Sequence, residues 1–250
     1  MRTLALDLET YSSVNLIKAG VYAYTSATDF EILLLAYAFD EEEVEIIDLA
    51  QGETVPNKVL SAIQDKKIIK TAFNASFERT ALSRHLGIQL TVEDWRCSEV
   101  QAAMLSLPLS LEAVGEVLGL EKQKLKEGKE LIRYFCMPCK PTRTNENRTR
   151  NLPIHAQEKW EQFKYYCKRD VEVERAIRKK LASYPISKTE QKLYVLDQEI
   201  NDRGILVDTQ LVRNAIKGDS DYKEKVTRYA QVLTGLDNPN SVSQLKTWLS

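Results

Sequence analysis

Two acidic residues lie two positions apart near the beginning of this 250-residue chain, Asp7 and Glu9 in the run Leu-Ala-Leu-Asp-Leu-Glu-Thr. The alternation around them predicts a β-strand over residues 3–8. Residues two apart on a strand point to the same face, so both carboxylates should project from the strand end together. Such a pair repels itself unless a cation intervenes, and hard divalent ions prefer oxygen ligands of this kind. Taken alone, the pair also fits a solvated or ion-paired strand end.

Two further stretches could deliver polar side chains to the same point. Asn74 and Glu78 stand at the beginning of a predicted helix, where Asn commonly caps the helix and the helix dipole favours Glu. Tyr166 and Asp170 are four residues apart in a later predicted helix, so the phenol and the carboxylate share one face. A buried Tyr and an ion-paired Asp would give the same local pattern. The three stretches together predict a metal site for phosphate-ester chemistry, because two ions about 4 Å apart suit in-line attack on a phosphodiester.

The pattern along the chain predicts strands first and interleaved helices afterwards. The predicted strands cover residues 3–8, 31–39, 43–49 and 68–73, and the predicted helices cover residues 56–65, 75–86, 97–106, 110–118, 127–135, 156–182, 189–202 and 209–233. This order indicates an α/β fold in which a mixed sheet is layered with helices. A Pro-containing break at residues 183–187 divides the chain into a domain of residues 1–184 and a short all-helical segment of residues 185–250.

The composition is that of an ordinary globular protein, with 43% hydrophobic and 28% charged residues. Neither a membrane-spanning run nor a cleavable signal pattern is present in the sequence, which indicates a cytoplasmic protein with no membrane partner. The four cysteines are therefore expected to be free thiols. Cys136 and Cys139 have zinc-knuckle spacing, but a closed zinc site normally needs a second pair of ligands.

The overall charge of -1 gives no general reason to expect nucleic-acid binding. Residues 121–150, however, contain nine Lys or Arg residues and four Glu. This basic segment fits either a solvated face or contact with a nucleic-acid backbone beside the metal site. Residues 136–153 are rich in Pro, Thr, Asn and Arg and lack an apolar period, which predicts a long exposed loop.

The three stretches together resemble the motifs of the DnaQ-like 3′-5′ exonucleases. Asp-x-Glu-Thr, Asn-x-x-Phe-Glu and Tyr-x-x-x-Asp follow one another in that family's order. Tyr165 occupies the position where the histidine-type branch carries His, and Tyr166 matches the tyrosine-type branch, which includes the proofreading domain of family A DNA polymerases. Residues 196–208 and 238–245 resemble the beginning of the polymerase region in bacteriophage-type family A enzymes. The resemblance covers nearly all of the chain.

The resemblance implies a ribonuclease H-like fold and a 3′-5′ exonuclease that removes nucleoside 5′-monophosphates from DNA 3′ ends, as the proofreading part of a polymerase in DNA replication. It implies two Mg2+ or Mn2+ ions as cofactors. The implied partners are a single-stranded DNA 3′ end and the C-terminal polymerase region of a parent chain, phage or prophage encoded. We expect a monomer in the bacterial cytoplasm.

The resemblance also implies roles for individual residues. Asp7, Glu9 and Asp170 would be direct metal ligands. Glu78 would act on the second ion through water, and Tyr166 would align the attacking water. The family more often has Asp in place of Glu78, and the added methylene moves the carboxylate by about a bond length. Three residues would lie against the terminal nucleotide: Thr10, Asn74 and Phe77.

Two other functions stay open at this point. A free-standing RNase D-like 3′ exonuclease acting on RNA would share the fold, although the polymerase-like C-terminal segment argues against it. A catalytically silent domain that binds single strands or scaffolds a polymerase is of a different class, and Glu78 is the feature in its favour.

Overall fold

The computed structural model describes residues 2–120 and 128–249. Its strands are β1 (Thr3–Tyr11), β2 (Glu31–Phe39), β3 (Glu45–Asp48), β4 (Ile69–Ala72) and β5 (Trp95–Cys97). They form one sheet in the order β3-β2-β1-β4-β5, in which β2 is antiparallel to β1 and β3, whereas β4 and β5 run parallel to β1. This arrangement confirms the predicted mixed sheet and is that of a ribonuclease H-like fold.

Helices flank the sheet and continue beyond it. They are α1 (Leu16–Thr25), α2 (Asn57–Gln64), α3 (Ala75–Leu86), α4 (Ser98–Met104), α5 (Leu111–Val117), α6 (Gly128–Phe135), α7 (Gln157–Lys180), α8 (Lys188–Arg203), α9 (Thr209–Thr234) and α10 (Val242–Leu249). The helices predicted from residue 56 to residue 233 are confirmed, although Glu127 lies outside the described residues. No described helix is both long and apolar enough to cross a membrane. Neither α1 nor β5 was predicted from the sequence.

The chain divides into two compact units, Met1–Asn201 and Asp202–Ser250. The first unit extends past Tyr184, because Tyr194 on α8 packs against the hydrophobic core of that unit. In addition, Gln191 Nε2 donates a hydrogen bond to the Trp95 carbonyl at 3.3 Å. The division between the units therefore falls later in the chain than the break at residues 183–187. The assignment of separate functions to residues 1–184 and 185–250 stays a prediction.

The strand β1 presents alternate residues to two separate cores. Its even-numbered apolar residues pack in the core that includes side chains of α2 and α3: Leu4, Leu6 and Leu8. Ala5 and Tyr11 belong instead to the core that contains the buried aromatic residues of α7. Because side chains alternate along a strand, Asp7 and Glu9 fall in the second set and point toward α7. The two-sided burial of β1 thus aims both carboxylates at one helix.

Aromatic packing fixes α7 and α6 against the sheet. The fully buried ring of Phe163 stacks on Phe135 at 5.5 Å and on Tyr166 at 6.1 Å, measured between ring centroids. Gly128, the first residue of α6, lies directly on the Tyr166 ring, so that a Cβ at this position would overlap the ring. Glycine at position 128 therefore allows α6 to close over the tyrosine.

The substitution Gly128→Ala should destabilise the first unit by about 1–3 kcal/mol, the usual cost of overpacking a filled core. The matched control is Gly115→Ala in α5, where the new Cβ would meet Val173 and Leu120 at ordinary contact distances of 3.7 and 3.8 Å. Alanine has the higher helix propensity, so this control should be neutral or slightly stabilising. Urea unfolding of both variants measures the difference, and equal stabilities would contradict the packing of Gly128 on Tyr166.

Candidate functional site

The fold brings the three predicted metal ligands together. Asp7 and Glu9 on β1 and Asp170 on α7 each offer a carboxylate oxygen, and these oxygens lie within 4.8 Å of one another. Within residues 2–120 and 128–249 this is the one group of three or more His, Cys, Asp or Glu side chains that could hold a metal ion. Glu9 and Asp170 are buried, with 7% and 4% of their surface exposed, and Asp7 is half-buried. Three converging oxygen donors are suited to a hard divalent cation.

Glu78 adds a fourth carboxylate near this group. It lies in the first turn of α3 and is buried, and its Oε2 atom makes no hydrogen bond to any described residue. Burial, followed by the charges of Asp7 and Glu9, raises the pKa of Glu78 well above its ordinary value. A buried carboxyl group in this position is costly without a positive partner. A divalent cation fits the site, because it would supply that charge.

The two adjacent tyrosines of α7 face different surroundings. Tyr165 is 52% exposed, whereas Tyr166 is 1% exposed and lies one helical turn before Asp170. Burial, followed by the charges of Glu9, Asp170 and Asp7, raises the pKa of Tyr166 far above its ordinary value. The Tyr166 phenol therefore stays protonated at physiological pH. It can donate or accept a hydrogen bond, but it cannot serve as a base.

The residues expected to contact a nucleotide are the sequence neighbours of the carboxylates on β1 and at the beginning of α3. The hydroxyl oxygen of Thr10 is buried 2.8 Å from the Tyr24 hydroxyl, and the Tyr24 ring packs on Phe77 with centroids 6.1 Å apart. Asn74 has a left-handed backbone with φ of 68°, and its exposed side chain does not make the N-cap hydrogen bond of α3. The structure thus joins Thr10 and Phe77 through Tyr24 and leaves the Asn74 amide outside the helix cap.

The pairing of β1 with β2 shifts register beside the predicted metal ligands. Glu9 is paired with Leu34 on β2, but Thr10 is paired with Ile32, so the register shifts between them. Bulges of this kind re-aim side chains beside functional sites. The skipped residue, Leu33, lies on β2, where it and Leu34 both pack in the core that contains α7. Glu9 faces α7 and Thr10 faces α1 by the ordinary alternation of side chains along β1.

Two cysteines contact the predicted metal ligands, and neither contact was predicted from the sequence. Cys167 Sγ lies 3.6 Å from Asp7 Oδ2, and Cys136 Sγ lies 3.7 Å from Glu9 Oε2. Burial and the neighbouring carboxylates raise both thiol pKa values well above the ordinary value, so each S–H donates a weak hydrogen bond to its carboxylate. All four cysteines are free, as predicted. The spacing of Cys167 from Asp170 could have placed it on the same helix face, whereas nothing local marked Cys136.

Part of the basic segment of residues 121–150 has a structural role. Residues 121–127 lie outside the described residues. Arg150 forms an ion pair with Glu31 at 2.5 Å, and its guanidinium lies 3.8 Å from the centroid of the Tyr11 ring. Cys136 and Asn151, near the two ends of the predicted exposed loop, are buried, although most residues between them are exposed. The loop is therefore tied to the sheet rather than exposed throughout.

Sequence comparison identifies a phage relative. No family model matches the chain. A DNA polymerase of Bacillus phage SP02 is 56% identical over 249 residues, which cover 100% of this chain and 38% of that protein. The chain thus spans less than half the length of this relative. The identity confirms the resemblance to a bacteriophage-type polymerase.

Solved structures similar to the chain include nucleases and a polymerase. The polymerase domain of Pol1 from M. smegmatis, in complex with DNA primer-template and dNTP, is 15% identical, with 98% of this chain and 36% of that chain covered and a TM-score of 0.48. Escherichia coli RNase D is 15% identical, with coverages of 79% and 45% and a TM-score of 0.46. Brucella melitensis NrnC with bound Mg2+ is 12% identical, with coverages of 81% and 86% and a TM-score of 0.47.

The substitution Glu78→Gln should stabilise the metal-free protein at neutral pH. Since the folded-state pKa of Glu78 is raised, the folded chain binds more protons than the unfolded chain between the unfolded pKa and the folded one. The stability of the unsubstituted protein must therefore fall as pH rises through that window. Glutamine cannot lose a proton, so the variant should lack this part of the decline.

Urea unfolding in EDTA, over a pH series from about 5 to about 8, measures this difference. Glu93→Gln, at an exposed glutamate, is the matched control and should follow the unsubstituted protein. Identical pH dependence in the Glu78 variant and the unsubstituted protein would show that Glu78 does not carry the strain assigned to it.

Proposed function

We propose that this chain, which is homologous over its whole length to part of a bacteriophage DNA polymerase, is the 3′-5′ exonuclease part of such an enzyme and proofreads during DNA replication. The observation that carries this proposal is the convergence of Asp7 and Glu9 on the central strand with Asp170 on α7, within 4.8 Å of one another. The reaction is hydrolysis of the last phosphodiester of a DNA 3′ end, which releases a nucleoside 5′-monophosphate.

We assign Asp7, Glu9 and Asp170 as the ligands of two divalent ions, Mg2+ or Mn2+. Glu78 is assigned a contact through water, because its carboxylate reaches the group from α3 on a side chain longer than Asp. When bound, the ions supply a more acidic attacking water and positive charge beside the departing 3′ oxygen. The partnerless Oε2 of Glu78 among the described residues supports this assignment.

Tyr166 is assigned the role of orienting the attacking water. Its phenol remains protonated, so it positions the water without accepting its proton. The ring is fixed on one side by Phe163, which stacks on it at 6.1 Å, and Gly128 lies against it as well. A fixed donor costs no reorganisation during the reaction.

Three residues are assigned to the nucleotide side. The Asn74 amide and the Phe77 ring would contact the terminal nucleotide, the ring by packing on sugar or base. Thr10 would also lie against the terminal nucleotide, and its hydroxyl oxygen lies 2.8 Å from the Tyr24 hydroxyl. Its contribution would be to hold Tyr24, and through it Phe77, at the edge of the site.

The exposed apolar residues of the second unit support the proposal of a longer parent protein. Ile205 and Leu206 are 91% and 100% exposed, and Leu211, Ile216 and Val232 are also exposed. Such apolar exposure is typical of a surface that another part of a protein covers. We propose that the polymerase region of a parent chain is this partner, that the whole acts as a monomer on a single-stranded DNA 3′ end, and that it does so in the bacterial cytoplasm, where phage DNA is copied.

The purified chain should shorten a single-stranded DNA labelled at its 5′ end when Mg2+ or Mn2+ is present, and Asp7→Ala should be at least about a hundredfold slower because a metal ligand is lost. Asp219→Ala, at an exposed acid of α9, is the matched control and should keep full activity. Denaturing gels of timed samples give both rates.

Three outcomes would reject parts of this proposal. Equal rates for Asp7→Ala and the control would reject the role of Asp7. Retention of DNA without cleavage would favour the silent scaffold. Faster trimming of a matched RNA strand would favour an RNA exonuclease, since only RNA offers the 2′ hydroxyl.

A further inference from the structure

A cavity of about 710 Å3 lies in the first unit beside β4, β5 and the C-terminal part of α7. Thr3 and Ile69, the first residues of β1 and β4, line it. Asp7 lies four residues further along β1 than Thr3, which corresponds to about 13 Å of extended strand. Thr71, which is paired with Ala5 two residues before Asp7, also lines the cavity, so the two sites are neighbours. The predicted metal ligands Asp7, Glu9 and Asp170 are not among the lining residues.

The walls of this cavity concentrate positive charge. Six cationic side chains line it: Arg96, Arg175, Arg178, Lys179, Lys188 and Lys192. Glu41 is the acidic residue of the same lining. The whole chain has a net charge of -1, so the basic character of the cavity does not follow from the composition. A concave surface lined by charge of one sign raises the local concentration of ions of the opposite sign.

Two of the arginines are fixed in place by the fold. Arg175 donates to the backbone carbonyls of Asp40 and Glu42, each at 2.7 Å, so its guanidinium is held at the cavity wall. Arg178 Nε lies 3.8 Å from Glu174 Oε1, which also accepts a 2.5 Å hydrogen bond from the Ser98 hydroxyl. Guanidinium groups held in this way lose little freedom when an anion binds.

The remaining lining residues add further cationic side chains and apolar side chains. Lys188 and Lys192 are exposed residues one turn apart on α8, so their flexible side chains can reach an anion bound in the cavity. Three apolar residues belong to the same lining: Ile69, Pro185 and Ile186. A cavity that joins apolar surface to a few charged groups, with a volume between about 300 and 1000 Å3, is typical of small-ligand sites.

We propose that this basic cavity binds a nucleotide, with its phosphate on the arginine and lysine walls and its base against Ile69, Pro185 and Ile186. The phosphate is complementary to the positive charge of the lining, and the faces of a planar base can pack on its apolar side chains. The inference rests on the residues of the cavity alone and does not require the exonuclease activity. The competing source of phosphate is the backbone of a nucleic-acid strand.

Calorimetric titration can separate these ligands. The protein is the full chain carrying Asp7→Ala, in EDTA, so that neither cleavage nor metal-dependent binding at the carboxylates contributes. The probes are dAMP, deoxyadenosine, inorganic phosphate and a short single-stranded oligonucleotide. We expect dAMP to bind at least about tenfold more tightly than deoxyadenosine, because the phosphate contacts are charge-assisted, and more tightly than inorganic phosphate, which lacks the base.

Substitutions then locate the site. The double variant Lys188→Ala with Lys192→Ala should weaken dAMP binding at least about tenfold, and Lys192→Glu should do so independently. The matched control removes two exposed lysines of α9, Lys217→Ala with Lys223→Ala, and should leave dAMP binding unchanged. Equal affinity in the two double variants, or equal affinity for dAMP and deoxyadenosine, would overturn the proposal. Binding of the oligonucleotide without binding of dAMP would overturn it in favour of a strand backbone.

Discussion

Mutual repulsion among buried carboxylates is the constraint on which the rest of the site depends. Asp7, Glu9 and Asp170 are held within 4.8 Å of one another, and the charges of Asp7 and Glu9 help to raise the pKa of the buried Glu78. Like charges this close oppose folding, most strongly where water is excluded. The surrounding structure must therefore hold these groups against their repulsion. A bound divalent cation attracts each of these carboxylates. The close spacing that destabilises the metal-free protein therefore favours metal binding.

The scaffold that imposes this arrangement is largely apolar. The strand β1 is buried on both faces, which fixes the direction in which Asp7 and Glu9 point. The stack of Phe135, Phe163 and Tyr166 fixes α7, and hence Asp170, over that face. Weak thiol donors to Asp7 and Glu9 complete the support within the site. Stability gained in the cores thus offsets the cost of a functional cluster, a division that is common at active sites.

Much of this arrangement could be predicted from local sequence patterns. The period of two in β1, the spacing of Tyr166 and Asp170 and the beginning of α3 at Asn74 are short-range signals, and the structure agrees with each of them. The helix α1 could not be predicted in this way, because Gly20 interrupts it with a positive φ of 77°. Because α1 was not predicted, the position of Tyr24 between Thr10 and Phe77 could not be predicted either. The basic cavity could not be predicted from local patterns, because β1, β4, β5, α7 and α8 each contribute only one or a few of its residues.

Diffraction from crystals soaked in Mn2+ tests the central claim most directly, since anomalous scattering locates manganese without reference to activity. Anomalous peaks bounded by the carboxylate oxygens of Asp7, Glu9 and Asp170, at the usual metal-to-oxygen distance of about 2 Å, are the expected result. Manganese bound elsewhere while these three carboxylates remain without an ion would contradict the assignment of the cluster as a metal site.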